Sequence, residues 1–344
     1  MKMQFIILAV LVLSLVCAAV IPACAEDGGR GGFPGGGFPG GGRGGFGGMF
    51  GGSTANAVPA TESDVAYASG SSSQVLNVYI PETEADGTYP VIVLVHGGGF
   101  AMETQNESLI QPVISKALEK GYAVVSVDYR KSSEAVFPAA LSDVKASVRW
   151  VRANADKYGF DAENITIWGE SAGAYLADMV ALTPEVEALN GDVTENLEYS
   201  SAVQHVVSFY APVEFYTMDE EFVALGMSGS ANHSQASSFE SAFLGQALDV
   251  YKDKTYTTYW GTYTDLLPEG FALKAWIQAG TSDQNVPCTQ STNLAERLTG
   301  VIGSENIQYG LIDGAGHSGR LPGLPCSAPP ACSTYRCSRY EPSW

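Results

Sequence analysis

The chain has 344 residues, 45% of them hydrophobic, which is enough for one large α/β domain or two smaller ones with a sizeable core. Its 37 acidic and 18 basic residues give a formal net charge of −19. Because nucleic acids and anionic membrane surfaces attract positive charge, this balance argues against both as partners.

Residues 1–25 have the pattern of a secretory signal peptide. A positive charge near the start precedes an apolar run at 5–16, and the Ala-Cys-Ala segment at 23–25 offers a cleavage site. The apolar run is short for a membrane span, so an uncleaved anchor is the less favoured alternative. Lipid attachment at Cys24 is another, although Pro22 fits a bacterial lipobox poorly. We therefore expect a secreted or cell-surface protein with no membrane span in its mature form.

Residues 26–53 are dominated by glycine, interrupted mainly by phenylalanine, proline and arginine. Such a segment cannot bury enough apolar surface to offset its chain entropy, so a flexible linker is predicted. Its Arg-Gly-Gly pieces also resemble RNA-binding segments, but two arginines on an acidic, exported chain do not favour that function. We expect a spacer that holds a folded domain off the cell surface.

From residue 54 to 318 the chain alternates between strand and helix patterns. Apolar positions at helical spacing predict helices over 108–120 and 137–151 and another after Gly173. Apolar runs predict strands over 75–80, 90–95, 123–127, 165–168, 206–209, 275–279 and 307–312. This order predicts an α/β domain with a mostly parallel central sheet and helices on both faces. Its functional residues should lie at the carboxyl ends of the strands.

Residues 213–269 interrupt this alternation and are rich in phenylalanine, tyrosine and tryptophan. Since the insertion follows a strand end, we expect it to form a cap over the functional site. Most of its aromatic side chains are expected to form the core of the cap itself.

The segment Gly169-Glu170-Ser171-Ala172-Gly173 lies where an apolar strand gives way to a helix pattern. A serine between two glycines at such a junction is typical of the nucleophile elbow of hydrolases. The turn is so sharp that Ser171 should adopt a strained backbone conformation. Glycine at 169 and 173 would remove side chains that otherwise clash.

A second glycine-rich segment, His96-Gly97-Gly98-Gly99-Phe100, directly follows a predicted buried strand. Successive glycines let the backbone turn N–H groups toward a negative charge. Lipases and esterases use this arrangement as half of an oxyanion hole, and the amide after the nucleophile supplies the other half. We therefore expect the amides of Gly98, Gly99 and Ala172 to form the oxyanion hole, with His96 fixing the loop.

The base that Ser171 needs is sought among the four histidines of the chain. His317 follows the last predicted strand in a glycine-rich loop and is the candidate. His96 belongs to the first glycine loop, His205 begins a strand as a structural residue, and His233 lies in a polar part of the insertion.

The acid that orients the base should follow the strand before the histidine loop. Asp283 occupies that place, and Asp313 is a distant second choice because it is too near His317 in sequence. The order Ser171, Asp283, His317 is that of the nucleophile, acid and histidine in hydrolases of this kind.

Together these motifs resemble the α/β-hydrolase superfamily, and more narrowly the exported carbohydrate-esterase-like group of acetylxylan and feruloyl esterases, which is related to hormone-sensitive-lipase-type esterases. The resemblance runs from about Val75 to His317 and includes Asp128-Tyr129-Arg130 and the helix start at 137–143. Ala174 departs from it, because many relatives have another glycine there. The resemblance implies an α/β-hydrolase fold with an inserted cap and a serine esterase that needs no metal or organic cofactor.

The expected function is that of a secreted carboxylic-ester hydrolase that removes acetyl or feruloyl-type groups from plant polysaccharide or small esters. One alternative is a prolyl-oligopeptidase-type serine peptidase, which shares the triad and fold but usually carries a β-propeller for which the linker leaves no room. The other is a catalytically impaired surface-binding protein, against which an intact triad argues. The sequence leaves the oligomeric state open.

Residues 319–344 depart from the family pattern. The fold normally closes with a helix after the histidine loop, but this segment has five prolines, three cysteines and no helical apolar period. We expect an irregular, disordered tail, and its composition fits a shifted reading frame just past His317 better than a functional cysteine-rich module.

Overall fold

One eight-stranded sheet organises the part of the chain that the structure describes. The computed structural model describes residues 57–82, 87–106, 110–248, 250, 267 and 272–317. The strands are Glu62–Ala66 (β1), Val75–Tyr79 (β2), Tyr89–Val95 (β3), Ala123–Val127 (β4), Phe160–Glu170 (β5), His205–Phe209 (β6), Lys274–Gly280 (β7) and Ile307–Ile312 (β8). The helices are Gln111–Glu119 (α1), Ala139–Ala153 (α2), Ala155–Tyr158 (α3), Ala172–Leu182 (α4), Met218–Ala224 (α5), Phe239–Leu244 (α6) and Cys288–Ile302 (α7). Short 3₁₀ turns occur at Glu187–Asn190, Ser228–Ser230 and Ser304–Asn306.

The strand order across the sheet is β1-β2-β4-β3-β5-β6-β7-β8. β1 and β2 pair antiparallel to their neighbours, and the six strands from β4 to β8 run parallel. The central strands β3 and β4 are mainly apolar and buried along most of their length, as expected for a parallel sheet covered by helices. The mostly parallel α/β sheet predicted from the sequence is confirmed.

All seven predicted strands are present, with small differences at their ends. The strand predicted over 165–168 is longer and runs from Phe160 to Glu170. β1 was not predicted, because its sequence Glu-Ser-Asp-Val-Ala is polar and it pairs only with β2 at the sheet edge. α7 was not predicted either, since its sequence is largely polar and carries a glycine.

Several sequence predictions lie outside the described residues. These are the signal peptide over 1–25, the linker over 26–53 and the tail over 319–344, together with most of the insertion beyond residue 250. Among the helices in the described ranges, none combines the length and apolarity needed to cross a membrane.

Helix α4 leads away from Ser171 and carries an acidic residue into the core. Asp178 is 2% exposed, and its carboxylate accepts a hydrogen bond of 2.7 Å from the hydroxyl of Ser208 on β6. Burial raises the pKa of Asp178 to about 8, because a charged carboxylate is poorly solvated there. The side chain is therefore protonated in the folded protein at neutral pH.

We expect Asp178→Asn to stabilise the protein at pH 8 and to have less effect near pH 4. The pKa of the folded state lies above the unfolded value of about 3.9, so the folded state holds a proton that the unfolded chain releases. The bound proton makes its full contribution to the free energy of unfolding below pH 4, and that contribution is lost as the pH rises to about 8. Asparagine removes that loss and can still accept from Ser208.

Thermal melts between pH 4 and 8 measure this difference, at about 2–4 °C per kcal/mol for a domain of this size. Asp156→Asn, the same change at an exposed position of α3, is the matched control and should leave the melting temperature nearly unchanged. A variant at 178 that melts lower than wild type at pH 8 would contradict the prediction.

Candidate active site

The strand register brings the candidate residues to one edge of the sheet. Val95 at the end of β3 is paired with Gly169 near the end of β5, and Glu170 is paired with Phe209 at the end of β6. Farther along the edge, Gly280 of β7 is paired with Ile312 of β8. Because these strands are parallel, the loops that leave their carboxyl ends are neighbours.

Ser171 lies on a sharp turn between β5 and α4. Its backbone angles are φ 53° and ψ −124°, a conformation that residues with side chains rarely adopt. A Cβ atom on Gly169 would lie 2.2 Å from the carbonyl oxygen of Gly173, and one on Gly173 would lie 2.2 Å from that of Val95. The predicted strain at Ser171 and the need for both glycines are confirmed.

Ser171, His317 and Asp283 form a continuous hydrogen-bonded line. The Nε2 atom of His317 lies 3.0 Å from the Oγ atom of Ser171, and its Nδ1 atom lies 2.7 Å from Oδ2 of Asp283. With the proton on Nδ1, Nδ1 donates to the carboxylate and Nε2 accepts from the serine hydroxyl. The three residues predicted from separate motifs are thus brought together in the order that proton transfer requires.

The carboxylate of Asp283 is held by its own loop. Its side chain is fully buried, and Oδ1 accepts backbone N–H bonds from Asn285 at 2.8 Å and Val286 at 3.0 Å. These two donors leave Oδ2 for His317. Asp313 instead accepts from the hydroxyl of Thr281 at 3.2 Å and makes no hydrogen bond with His317 among the described residues.

Gly280 lets the loop that carries Asp283 and the loop that carries His317 cross closely. A Cβ atom on Gly280 would lie 2.2 Å from the carbonyl oxygen of Ala315. At the same crossing, Ser282 donates its N–H to that oxygen at 2.9 Å, and Gly314 donates its N–H to the hydroxyl of Thr281 at 2.8 Å. The crossing fixes the loop of His317 relative to the loop of Asp283.

The glycine loop after β3 lies against the serine turn. Gly98 and Gly99 have φ values of +88° and +59°, which favour glycine. A Cβ atom on Gly97 would lie 3.4 Å from the Cβ atom of Ser171, so the loop is in close reach of the nucleophile position. Ala172 is the first residue of α4, and its amide is at the positive end of the helix dipole.

His96 and Tyr129 hold this loop in place. The hydroxyl of Tyr129 donates to the carbonyl oxygens of His96 at 2.9 Å and Gly97 at 3.1 Å, and its ring stacks on the imidazole at 4.4 Å. The two ring nitrogens of His96 lie 3.0 Å from the carbonyl oxygen of Gly97 and 3.0 Å from Oδ1 of Asp128. Burial lowers the pKa of His96. Its nitrogens are engaged within the loop, which agrees with the predicted positioning role.

Lys131 completes the polar cluster beneath the loop. Its ammonium group donates to the carboxylate of Asp128 and, at 2.9 Å, to the carbonyl oxygen of Tyr129. Burial opposes ionisation of Asp128, but bonds from His96 and Lys131 outweigh it and lower the pKa of that carboxyl. The cluster thus keeps a buried anion paired directly below the glycine loop.

Among the described residues of the insertion, two aromatic side chains pack on elements outside it; Tyr251, Tyr256, Tyr259, Trp260 and Tyr263 lie outside the described residues. Phe243 stacks on Phe100 with ring centroids 4.0 Å apart, and Phe215 lies 5.1 Å from the ring of Tyr175 on α4. Both contacts join the insertion to elements that carry the site. Phe243 and Phe215 therefore bury their rings against the segment after the glycine loop and against α4.

Phe239 lies directly over the glycine loop. The ring is 47% exposed, and a Cβ atom on Gly99 would lie 2.7 Å from it. In contrast, Phe222 packs inside the insertion, where its ring stacks on His233 at 5.5 Å. Residues 213–248 therefore include both a contact to the site and some internal packing.

The other two histidines lie apart from Ser171. His233 is 7% exposed and has Nδ1 2.9 Å from Asp219 and Nε2 3.0 Å from the carbonyl oxygen of Asn285. His205 is the first residue of β6, at the opposite end of that strand from the site, and burial lowers its pKa to about 4.

Glu170 and Tyr210 also lie at the site, although no motif identifies them as functional. The hydroxyl of Tyr210 donates to the carboxylate of Glu170 at 2.6 Å, and its ring lies 4.6 Å from the ring of His317. Their place in the chain could have identified them, because Glu170 ends β5 and Tyr210 follows β6. Site residues of parallel sheets occur at these carboxyl ends.

We expect Gly173→Ala to disrupt the serine turn. The added Cβ atom would overlap the carbonyl oxygen of Val95, and neither backbone can move away without breaking the sheet. We expect a loss of about 3 kcal/mol in the free energy of unfolding, measured by denaturant titration. Gly300→Ala in α7 is the matched control, since its Cβ atom meets nothing within 4 Å, and it should stabilise the helix by about 0.5–1 kcal/mol. Equal stability of the two variants would contradict this account of the turn.

Part of the chain is similar in sequence to known ester hydrolases. Over 131 residues the chain is 36% identical to the esterase LipQ of Mycobacterium tuberculosis (strain ATCC 25618 / H37Rv). The matched region is 38% of this chain and 31% of that protein. The chain spans 37% and 56% of the lengths of two further ester hydrolases of that organism. It therefore matches only part of each of these curated relatives.

Two solved structures resemble the fold over most of this chain. The bifunctional GH43-CE protein of Bacteroides eggerthii has a TM-score of 0.64 at 29% identity, over 74% of this chain and 32% of that one. A truncated carbohydrate esterase from gut microbiota has a TM-score of 0.61 at 26% identity, over 75% of this chain and 89% of that one. Residues 76–298 match the BD-FAE family. Since this match spans well over half of the chain, the protein belongs to the BD-FAE family and has the fold of the α/β-hydrolase esterases.

Proposed function

We propose that the protein is a carboxylic ester hydrolase in which Ser171 is the nucleophile, His317 the general base and Asp283 the acid that orients it. The observation that carries the proposal is the line of contacts at 3.0 Å and 2.7 Å that joins the three side chains. Ser171 also lies on a strained turn at the carboxyl end of β5, close to the glycine loop. The esterase names of the curated relatives support the same class of reaction.

In the proposed reaction, His317 takes the hydroxyl proton of Ser171 on Nε2 while Oγ attacks the ester carbonyl carbon. Asp283 keeps the second proton on Nδ1 and stabilises the imidazolium that forms. The proton on Nε2 then passes to the departing alcohol. Water repeats the sequence on the acyl-enzyme, releases the acid and restores Ser171. The proton transfers thus run between side chains of this protein, the substrate and water.

The amides of Gly98, Gly99 and Ala172 are proposed to bind the oxyanion. The positive φ values of the two glycines and the place of Ala172 at the start of α4 support this role. An amide aimed at a developing oxyanion is typically worth about 2.7–4 kcal/mol of transition-state stabilisation. The amino end of α4 adds a favourable dipole for the same charge.

We further propose that the substrates are acetyl or feruloyl-type esters of polysaccharide, or small esters of the same kind. The two solved structures at 29% and 26% identity carry carbohydrate-esterase names, which supports this class. The formal charge of −19 disfavours anionic substrates at low salt. The signal-peptide pattern of residues 1–25 supports secretion or display at the cell surface.

We expect Ser171→Ala to lower kcat on an aryl acetate by at least about a thousandfold while the melting temperature stays close to that of wild type. A fluorophosphonate probe should label wild type at Ser171 and should not label the variant. Ser304→Ala, an exposed serine before β8 at the end of the strand remote from the site, is the matched control and should keep full activity. Substantial turnover by the variant at 171 would rule out Ser171 as nucleophile.

A substrate panel tests the proposed specificity. We expect wild type to release acetate from acetylated xylan or ferulate from methyl ferulate, and to leave a prolyl anilide intact. Ser171-dependent cleavage of the anilide alone would instead indicate a peptidase. Labelling of Ser171 without turnover of any ester in the panel would contradict the proposed substrate class and leave the nucleophile assignment in place.

A further inference from the structure

The triad leaves one pair of polar side chains at the site without a role. Glu170 is the residue directly before Ser171, and Tyr210 is the residue directly after β6. Their backbones are brought together because Glu170 is paired with Phe209 in the sheet. The hydroxyl of Tyr210 donates to Oε2 of Glu170 at 2.6 Å, a short bond of the kind made to a charged acceptor.

Tyr210 contacts three parts of the site from a strained backbone. Its φ value is +45°, which is uncommon for a residue with a bulky side chain and typically costs about 1–3 kcal/mol. Its N–H donates to the carbonyl oxygen of Gln278 at 2.7 Å, its hydroxyl holds Glu170, and its ring lies 4.6 Å from the ring of His317. Glycine or asparagine would adopt this backbone conformation at a lower cost. We therefore attribute the tyrosine at this position to the contacts that its side chain makes.

The same segment also supports the serine turn. The carbonyl oxygen of Phe209 accepts the N–H of Ser171 at 2.9 Å. Phe209 and Tyr210 are therefore bonded to two consecutive residues, Glu170 and Ser171, on either side of the strand–helix junction. This double contact fixes the carboxylate of Glu170 relative to the nucleophile.

The electrostatics link Glu170 to the base. Burial raises the pKa of Glu170, while the bond from Tyr210 and a positive charge on His317 act in the opposite direction. The charged carboxylate is thus stabilised most when His317 is protonated, which is the state that forms as the serine gives up its proton. An interaction that is stronger in that state lowers the barrier rather than only strengthening binding.

We propose that Glu170, held by Tyr210, is a positioning residue for catalysis: its carboxylate stabilises the imidazolium form of His317. Asp283 contacts Nδ1 directly, whereas Glu170 is bonded to Tyr210, whose ring packs on that of His317 at a tilt of 59°. No proton passes to Glu170 in this scheme; the serine proton resides on Nε2 of His317 and goes from there to the leaving alcohol. The inference rests on the proposed function, in which His317 is the base.

His317 is hydrogen-bonded to the carboxylate of Asp283, and it is linked to the carboxylate of Glu170 through Tyr210. Glu103, whose carboxyl carbon would lie 3.2 Å from a Cβ atom on Gly98, acts on Glu170 as a like charge. Lys131 lies below the glycine loop and is paired with Asp128. Glu170 is the member of this set that is hydrogen-bonded to a ring packed on His317.

The test is Glu170→Gln, which keeps the shape and the acceptor for Tyr210 but removes the charge. We expect kcat on an aryl acetate to fall about tenfold with KM changed less than about threefold, because the lost interaction is stronger in the transition state than in the bound substrate complex. Loss of the negative charge makes the imidazolium less stable. The acid limb of the kcat/KM profile should therefore move to lower pH, by roughly half to one pH unit.

Glu163→Gln, the same change at an exposed position of β5, is the matched control and should leave kcat and the pH profile unchanged. Tyr210→Phe removes only the hydroxyl and should shift the acid limb in the same direction by a smaller amount. If Glu170→Gln fails to fold, Tyr210→Phe alone tests the inference. The two changes combined should cost less than the sum of their separate effects, because they act through one carboxylate.

Three results would overturn the inference: an unchanged kcat in Glu170→Gln, a lower kcat with an unmoved acid limb, or full additivity with Tyr210→Phe. The second would indicate a purely structural role for the pair. A wild-type protein that shows neither ester turnover nor labelling of Ser171 would instead contradict the proposed function, so the two failures are distinguishable.

Discussion

The site depends on one close approach of backbone to backbone, where the start of α4 passes the end of β3. With a would-be Cβ atom of Gly173 only 2.2 Å from the carbonyl oxygen of Val95, no side chain fits between them. This approach turns the chain sharply enough to put Ser171 at φ 53°. It also brings the loop that begins at His96 against the nucleophile, so one packing constraint positions both the serine and the amides proposed to face the oxyanion. The strained turn is held by its surroundings, because β3 and β6, the strands on either side of β5, are buried where they approach it.

Around this turn, support comes from buried polar groups that are each satisfied by neighbours. Asp283 has two backbone donors on one oxygen and His317 on the other, and Asp128 is paired with Lys131 below the glycine loop. Asp178 has no cation beside it among the groups that shift its pKa, and it responds by staying protonated. Two of these buried carboxyls therefore differ: bonds from His96 and Lys131 keep Asp128 charged, whereas Asp178, on α4, gives up its charge.

Motifs of a few neighbouring residues could be recognised from the sequence, and apolar runs located the central strands. Sequence reasoning placed Ser171, Asp283 and His317 at strand ends, and the structure brings those three side chains into contact. It missed β1 and α7, whose residues are mainly polar and show no clear period. It also missed Tyr210 and the attachment of Phe243 to Phe100, because both depend on the register between strands and on tertiary packing. Periodicity describes which face of an element is buried, but it does not say which distant residue that face meets.

The described part of the insertion supports the site through hydrogen bonds. Hydrogen bonds from Ser234 and His233 outweigh the effect of burial and lower the pKa of Asp219 to about 2, so this carboxylate remains charged. On its other side, His233 reaches the carbonyl oxygen of Asn285, whose N–H donates to Asp283. A line of hydrogen bonds therefore runs from an anion in the insertion to the acid beside His317. A shift of the insertion would move the peptide that holds Asp283, whereas a cap attached only through its aromatic rings could move without disturbing the acid.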